Sequence, residues 1–441
     1  MMSSAQPSAR KAVVVGAGPV GCLAAISLAK MGWTVEIYEG RPDMRLPSSK
    51  AAAQQRSINL AMSSRGIAAI EAIHPSAAAR FLKAVIPMRG RMIHHVGLAL
   101  PNISAFFKHK VISLDFDKGI MVVSNNTDNE NREVPFDFCV GADGAYSIVR
   151  RQLMRVVRWP PMSSGGDPSF LLDANHLHIW PRHTFMLIAL PNKDKTFTCT
   201  LFAPTAEFDR LNTPETIIQF FKAHFPDALP LIGEQALLED FKRNPRSSLM
   251  SIKAQPYHYK DRVVIIGDAA HAMVPFYGQG LNCGLEDVRV LDIILRTAQV
   301  NPAVQETKED NRLLEALARY SDSRHADLVS ICELAMDNYV EMRHSVVTPA
   351  YLIRHALDNI LYSLTVRAAT LSALIPSLSR EPFPSKSPAG WLPLYTMVTF
   401  RPDISYSTAR HRYAGWATAV TGLSVAGLVA VSVWRRLYNR G

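Results

Sequence analysis

Residues 11–39 read KAVVVGAGPVGCLAAISLAKMGWTVEIYE, and this stretch decides the fold. It opens with a short β-branched run, breaks at Gly16, Gly18 and Gly21, and continues as an apolar segment with helical spacing. A second β-branched run then ends at Glu39. A strand, a glycine-rich turn, a helix and a second strand in this order predict a parallel βαβ unit that binds a dinucleotide.

The glycines and the acidic residue of this unit have different tasks. A pyrophosphate can approach the backbone where side chains are absent, and the N-terminus of the following helix attracts its charge. Glu39 is placed to accept hydrogen bonds from a ribose, which favours the unphosphorylated ribose of FAD or NAD over that of NADP. The alternative is a glycine-rich turn beside an exposed Glu39. The motif alone does not separate FAD from NAD.

A second stretch, RVVIIGDAAHAMVPFYGQGLNCG at 262–284, favours a flavin. A buried strand leads to Asp268, whose carboxylate can accept a hydrogen bond from a ribityl or ribose hydroxyl. A glycine-rich turn then opens a new helix. Its backbone N–H groups suit the pyrimidine carbonyls of a flavin, and its dipole suits the negative charge of the reduced ring. The alternative is that Asp268 is an ordinary helix N-cap.

Composition excludes several classes of protein. The 441 residues are 48% hydrophobic and 20% charged, which fits about two to three folded domains and excludes a disordered chain. The net charge of +10 comes from dispersed basic residues without a nucleic-acid-binding motif, so we predict no nucleic-acid partner. The five cysteines and 14 histidines form no CxxC or HExxH pattern, so we predict neither a disulfide framework nor a metal site.

The C-terminal stretch 413–434, YAGWATAVTGLSVAGLVAVSVW, contains no charged side chain. A helix of this length spans about 33 Å, which matches the roughly 30 Å hydrocarbon core of a bilayer. Arginines flank it on both sides, and Trp416 and Trp434 lie near its ends, where interfacial indoles are common. We predict a transmembrane anchor here; the alternative is a buried or interfacial helix.

Three motifs resemble the fingerprints of the single-component flavoprotein aromatic hydroxylases. They are GAGPVG at 16–21, GADGAYSIVR at 141–150 and GDAAH at 267–271. Within that family, the chain resembles the kynurenine hydroxylases through RSINLA at 56–61, PMRGRMIH at 87–94, LHIWPR at 177–182, PFYGQGLN at 275–282, NYVEMR at 338–343 and PLYTMVTF at 393–400.

This resemblance implies an FAD enzyme that uses NADPH and O2 to hydroxylate L-kynurenine at its aromatic 3-position, in tryptophan catabolism toward NAD synthesis. It implies that a flavin C4a-hydroperoxide delivers the oxygen and that NADPH acts from a transient site. Because the cofactor carries the chemistry, no catalytic side chain is predicted. The resemblance also implies an enzyme held on the mitochondrial outer membrane, with its catalytic part facing the cytosol.

The resemblance assigns roles residue by residue. Arg91 would pair with the kynurenine carboxylate, and Asn338 and Tyr395 would bind the same end of the substrate. Pro275 and Phe276 would line the junction of flavin and substrate. The implied cofactor-binding residues are Gly16, Gly18, Gly21, Glu39, Arg56, Asp143, Asp268, Gly278, Gln279, Gly280 and Asn282. The alternatives are a surface or structural charge for Arg91 and ordinary packing for Asn338 and Tyr395.

We predict an α/β fold: a Rossmann-like FAD-binding domain, a smaller β-sheet substrate domain, a helical C-terminal region and the C-terminal transmembrane helix. The predicted division is FAD-binding parts at 1–95, 136–160 and 256–330, a short β-rich segment at 96–135, the substrate domain at 161–255 and the helical region at 331–408.

Two family segments look shortened in this chain, after His94 and after Arg158. The resemblance implies that the first segment carries a substrate-binding tyrosine and a helix with an FAD-contacting arginine. No tyrosine occurs between Tyr38 and Tyr146, so this tyrosine is missing here, and the helix with its arginine looks absent too. Two alternatives to kynurenine hydroxylation therefore stay open. One is an FAD hydroxylase of another aromatic compound, and the other is a membrane-anchored relative without turnover.

Overall fold

The computed structural model describes residues 9–43, 45–46, 61–84, 103–107, 109–115, 118, 120–125, 131–141, 177–182, 185–191, 197–243, 250–303, 309–343, 356–363 and 391–415. Its strands are β1 (Lys11–Val15), β2 (Thr34–Glu39), β3 (Ile103–Phe107), β4 (His109–Asp115), β5 (Ile120–Asn125), β6 (Asn131–Pro135), β7 (Phe138–Gly141), β8 (His178–Arg182), β9 (Phe185–Pro191), β10 (Phe197–Phe202), β11 (His258–Tyr259) and β12 (Val263–Ile265). Its helices are α1 (Pro19–Lys30), α2 (Ser64–Ile73), α3 (Pro75–Ala84), α4 (Thr205–Arg210), α5 (Pro214–His224), α6 (Leu229–Ile232), α7 (Glu234–Arg243), α8 (Asp268–His271), α9 (Gly280–Thr297), α10 (Asn311–Arg343) and α11 (Leu394–Phe400).

The central sheet has six strands in the order β11–β12–β7–β1–β2–β3. β1 pairs in parallel with β2 on one side and with β7 on the other, while β11 and β12 are antiparallel. The last four residues of β1 are buried, as expected for a parallel strand that is covered on both faces. β1, α1 and β2 confirm the strand–turn–helix–strand order predicted for residues 11–39.

Two smaller antiparallel sheets flank the central one. β4, β5 and β6 form the first, and β8, β9 and β10 form the second. The second sheet packs Phe185 and Leu187 against Ile217 and Phe221 of α5, in a hydrophobic core of its own. It lies in the segment predicted as the substrate domain, 161–255. β3 comes from the predicted segment 96–135 but pairs with β2 as an edge strand of the central sheet.

Helices α1, α2, α9 and α10 contribute to one large hydrophobic core together with the central sheet. α9 is buried over most of its length and packs against α1, α2 and α10. α10 runs without interruption over 33 residues, so one helix crosses the predicted boundary between 330 and 331. The segment 391–415 packs into the same core, since Met397, Ile404 and Tyr406 are fully buried.

Among the described residues, no helix combines the length and the apolar character that crossing a membrane requires. Most of the predicted anchor, residues 416–434, lies outside the described residues.

Candidate functional site

In the turn between β1 and α1, the backbone packs closely at Gly21 and leaves open space at Gly18. Gly16 has φ of +101°, a conformation that L side chains rarely adopt. A Cβ added to Gly21 would lie 2.0 Å from the Gly16 carbonyl oxygen, so only glycine lets α1 approach β1 here. No described atom lies within 4 Å of a Cβ added to Gly18. The first turn of α1 therefore faces open space at Gly18, where a phosphate could meet backbone N–H groups.

Glu39 ends β2 beside this turn. Its Oε2 accepts a hydrogen bond from the Ala17 N–H at 2.9 Å, and the Arg41 guanidinium forms an ion pair with the carboxylate at 2.7 Å. Burial raises the pKa of Glu39, but the hydrogen bonds and charge of Arg41 outweigh it, so the net pKa lies below its ordinary value. The acid is ionised at neutral pH. Each of its oxygens already accepts two hydrogen bonds, three of the four from Arg41, so a ribose hydroxyl would take the place of an Arg41 donor.

Asp268 follows β12 and starts α8, three residues after the strand ends at Ile265. Gly267 has φ of +59° and precedes α8, which begins at the exposed Asp268. An added Cβ on Gly280 would lie 3.7 Å from Asp268 Oδ1, so the carboxylate stands beside the N-terminus of α9. The side chain of Val20 in α1 lies 3.3 Å from an added Cβ on Gly267. The two cofactor motifs predicted from the sequence are therefore neighbours in the fold.

The turn at Pro275–Tyr277 is a 3-10 helix that ends at Gly278, which is left-handed with φ of +65°. Phe276 is buried between two aromatic rings: it stacks on Tyr339 at 4.3 Å and meets Phe202 edge-on at 4.8 Å. Phe202 ends β10 and Tyr339 lies on α10, so the second small sheet and α10 meet at this turn.

Two of the predicted substrate-binding residues contact the same turn. Asn338 Nδ2 donates to the Phe276 carbonyl oxygen at 3.0 Å, and the Tyr395 ring stacks on Tyr277 at 5.9 Å. They are far apart in sequence, yet each contacts the Pro275–Tyr277 turn, which ends at Gly278. Pro275, which is also predicted to contact the substrate, is the first residue of this turn.

Gln279 and Asn282 have buried partners inside the protein. Asn282 Nδ2 donates to the carbonyl oxygens of Ala61 and Gly278, both at 2.9 Å, and its Oδ1 accepts from the Ser63 N–H at 2.7 Å. The side chain of Gln279 lies 3.4 Å from the Thr399 hydroxyl. Asn282 thus shapes the cofactor region by holding two backbone segments together. Arg56, Arg91 and Asp143 lie outside the described residues.

Sequence reasoning missed a buried ionic network beneath these turns. Glu286 and Asp287 on α9 are fully buried. Arg65 pairs with Glu286 at 2.7 Å, and Arg324 pairs with Asp287 at 2.7 Å. Burial raises the pKa of both acids, but the neighbouring cations outweigh it and lower the net pKa of each. The signal in the sequence is the run of charged residues Glu286, Asp287, Arg289 and Asp292 within a helix that is otherwise mostly apolar over 283–295.

The ligand atoms of His271, Cys283 and Asp287 lie within 4.8 Å of one another. A metal ion among them would face Arg324, which donates to Asp287 Oδ1 and lies 3.7 Å from Cys283 Sγ. The arginine already supplies the positive charge that a metal would bring.

Comparison with known proteins agrees with this geometry. A family model for an FAD binding domain matches residues 92–306, and one for a pyridine nucleotide-disulphide oxidoreductase matches residues 10–153. The kynurenine 3-monooxygenase of Cryptococcus neoformans is 40% identical, with 99% of each chain covered. The chain belongs to the kynurenine 3-monooxygenase family. The corresponding enzyme of Yarrowia lipolytica is also 40% identical, with 95% of each chain covered.

The alignment with the Cryptococcus enzyme extends over 513 positions, more than the 441 residues of this chain. Some segments of that relative therefore have no counterpart here. We expect these gaps at the two shortened segments, after His94 and after Arg158.

Solved structures show the same fold at low sequence identity. 2-Methyl-3-hydroxypyridine-5-carboxylic acid oxygenase matches 78% of this chain and 95% of its own, at 19% identity and a TM-score of 0.55. PqsL of P. aeruginosa matches 76% of this chain and 97% of its own, at 19% identity and a TM-score of 0.54. The fold is therefore that of the FAD-binding monooxygenases. This confirms the α/β part of the predicted fold class.

Proposed function

We propose that this chain hydroxylates L-kynurenine at the aromatic 3-position, with FAD as its bound cofactor and NADPH and O2 as co-substrates. The observation that carries the proposal is the meeting of Asn338 and Tyr395 at the turn of Phe276, next to the glycine-rich start of α9. The product would be 3-hydroxykynurenine, an intermediate of tryptophan catabolism toward NAD synthesis. Family membership supports the choice of kynurenine among aromatic substrates.

The described residues fit the ribose, the pyrophosphate, the ribityl chain and the ring of FAD. Glu39 would accept from the ribose, and the open space at Gly18 would receive the pyrophosphate at the N-terminus of α1. Asp268 would accept from a ribityl hydroxyl, and the first turn of α9 would offer backbone N–H groups and the positive end of its dipole to the ring. When bound, FAD would supply the redox chemistry that activates O2 for transfer to the aromatic ring.

The substrate would lie against the aromatic turn. Both hydrogens of Asn338 Nδ2 are engaged, since this atom lies 3.0 Å from the Phe276 carbonyl oxygen and 3.0 Å from Met342 Sδ. The substrate would therefore meet Asn338 Oδ1, a hydrogen-bond acceptor that suits the ammonium group of an amino acid. We assign the carboxylate to Arg91, by resemblance, and the neighbouring polar contact to the hydroxyl of Tyr395.

The buried Phe276 would form an apolar wall beside the reacting ring. Tyr339 and Phe202 hold its ring on two sides, which fixes the wall without a hydrogen bond. A dry, rigid wall favours transfer of oxygen to the substrate over loss of the oxidising species to water.

We further propose that residues 413–434 anchor the enzyme in the mitochondrial outer membrane, with the catalytic part facing the cytosol. The support is the uncharged run between arginines. A fusion that carries only residues 405–441 behind a fluorescent protein tests this. Mitochondrial membrane recruitment is expected, and a diffuse signal would contradict it.

The test of activity starts with the visible spectrum of the detergent-purified full chain, followed by NADPH oxidation with and without L-kynurenine. We expect bound flavin and kynurenine-stimulated oxidation that yields 3-hydroxykynurenine. Bound flavin whose NADPH oxidation is stimulated only by other aromatic compounds would contradict L-kynurenine as the substrate.

A membrane-anchored relative without turnover is the second candidate. The gaps in the alignment favour it, because a lost segment beside the cofactor removes polar contacts and leaves backbone groups without partners. A colourless chain, or bound flavin with no response to any aromatic substrate, would support this candidate.

A further inference from the structure

The four-residue helix α8 sets the direction of Asp268. A single helical turn is too short to be stable through its own backbone hydrogen bonds. Its N-cap residue is Gly267, whose φ of +59° and ψ of −146° are accessible only to glycine. Something outside α8 must therefore hold it in place.

Asp287 of α9 holds α8 at both ends. Its Oδ2 accepts a hydrogen bond from the N–H of Gly267, the residue before the helix, at 3.0 Å. The same oxygen contacts Nε2 of His271, the last residue of the helix. One fully buried carboxylate thus fixes the first and last points of the turn that carries Asp268.

Arg324 of α10 orients this carboxylate from the opposite side. Its Nε and Nη2 both donate to Asp287 Oδ1, at 3.1 and 2.7 Å, which leaves Oδ2 to face α8. Arg324 itself is only 1% exposed. The contacts therefore connect α10 through α9 to the Gly267–His271 turn. None of the residues that make these contacts was predicted from the sequence to bind FAD.

We propose that Asp287, oriented by Arg324, is a positioning residue for the cofactor: it holds the Gly267–His271 turn so that Asp268 faces the N-terminus of α9. The proposal rests on the proposed function only in taking FAD to be the molecule that Asp268 contacts. It adds a determinant of FAD affinity that does not itself touch FAD.

The neighbouring Glu286 offers a matched control. It is equally buried and lies 3.3 Å from Arg324, yet its other partners are Arg65 and Arg289 rather than α8. Asp287→Asn and Glu286→Gln each remove one buried charge from the same network. Asp287→Asn sets its amide NH2 against either the Gly267 N–H or the Arg324 guanidinium, whereas Glu286→Gln leaves the Asp287–Gly267 hydrogen bond in place.

The experiment uses full-length holoenzyme of the wild type and both variants. FAD dissociation constants are measured from the fluorescence of flavin released on serial dilution, with the visible circular dichroism of the bound flavin as a signature of its environment. Thermal midpoints of the flavin-free full chains report general loss of stability, because bound FAD would itself raise the midpoint. We expect Asp287→Asn to bind FAD at least about tenfold more weakly than Glu286→Gln, at similar thermal midpoints, and to change the flavin dichroism.

Equal FAD affinities of the two variants, within about twofold, would overturn the proposal, because the carboxylate would then act only on stability. If Asp287→Asn yields no folded chain, Arg324→Lys carries the test. It keeps the charge but loses the paired N–H donors that converge on Asp287 Oδ1, and unchanged FAD affinity and dichroism would overturn the proposal. A wild type that binds FAD but ignores kynurenine would contradict the proposed function alone, since these measurements use no substrate.

Discussion

Replacing Gly21 by alanine should separate the packing task of the β1–α1 turn from its cofactor task. The added Cβ would lie 2.0 Å from the Gly16 carbonyl oxygen, whereas real Cβ contacts below 3.0 Å are essentially never seen. The obstacle is backbone, so α1 would have to move about 1 Å away from β1. Overpacking of this kind costs about 1–3 kcal/mol of unfolding free energy, and a rigid obstacle favours the upper end.

Gly18→Ala is the matched control, three residues earlier in the same turn. Its backbone has φ of −71° and ψ of 173°, which alanine adopts without strain. No described atom would touch the new methyl group. The loss of a good N-cap residue lowers the free energy of unfolding by about 0.5–1 kcal/mol. The lower conformational entropy of the unfolded chain raises it by a similar amount. Its stability should therefore stay close to that of the wild type.

The assay measures both variants twice. Urea titration of the flavin-free full chain, followed by tryptophan fluorescence, reports stability. FAD titration reports affinity. We expect Gly21→Ala to unfold at lower urea, and Gly18→Ala to unfold like the wild type but to bind FAD at least about tenfold more weakly. A Gly21→Ala chain as stable as the wild type would refute the packing argument. Unchanged FAD affinity in Gly18→Ala would refute the pyrophosphate site.

Three further outcomes follow from the contacts of the site. Glu39→Gln should lower the unfolding free energy at neutral pH. Because the folded pKa of Glu39 lies below its ordinary 4.5, the difference from wild type should persist above pH 4.5 and shrink as pH falls through the folded pKa; a pH-independent difference would contradict this. Asn282→Ala leaves the Ser63 N–H and two carbonyls without partners and should cost about 2–4 kcal/mol in urea unfolding, whereas an unchanged midpoint would show that the amide is dispensable. Asn338→Ala should raise the KM for L-kynurenine about tenfold with a smaller effect on kcat. The exposed Met336→Ala on the same helix should change neither, and equal effects of the two would count against a substrate contact.

Residues near one another in sequence were the ones that could be predicted best. The βαβ unit at 11–39 follows from glycine spacing and β-branched runs, and the structure has both strands and the helix where the pattern indicates them. The strand before Asp268 and the helix that starts at Gly280 were predicted in the same way. In each case, the local sequence restricts the backbone directly, through glycine conformations and hydrophobic periodicity.

Side-chain roles were harder to predict where a residue could serve the cofactor or the fold. Asn282 was predicted as a cofactor contact from its motif, yet its amide is occupied by three backbone groups. A motif records which residue type a position needs. It does not record which neighbour satisfies that residue, because the neighbour comes from a distant part of the chain.

The sequence by itself determined the dinucleotide-binding unit, the flavin-type second motif and the family to which the chain belongs. Only the tertiary structure decided that Asn338 and Tyr395 both contact the Pro275–Tyr277 turn, and that Asp287 and Arg324 hold the turn of Asp268. The physical reason is separation along the chain. Local hydrogen bonds and periodicity are written in adjacent residues, whereas buried ion pairs and aromatic contacts form between elements that only packing brings together.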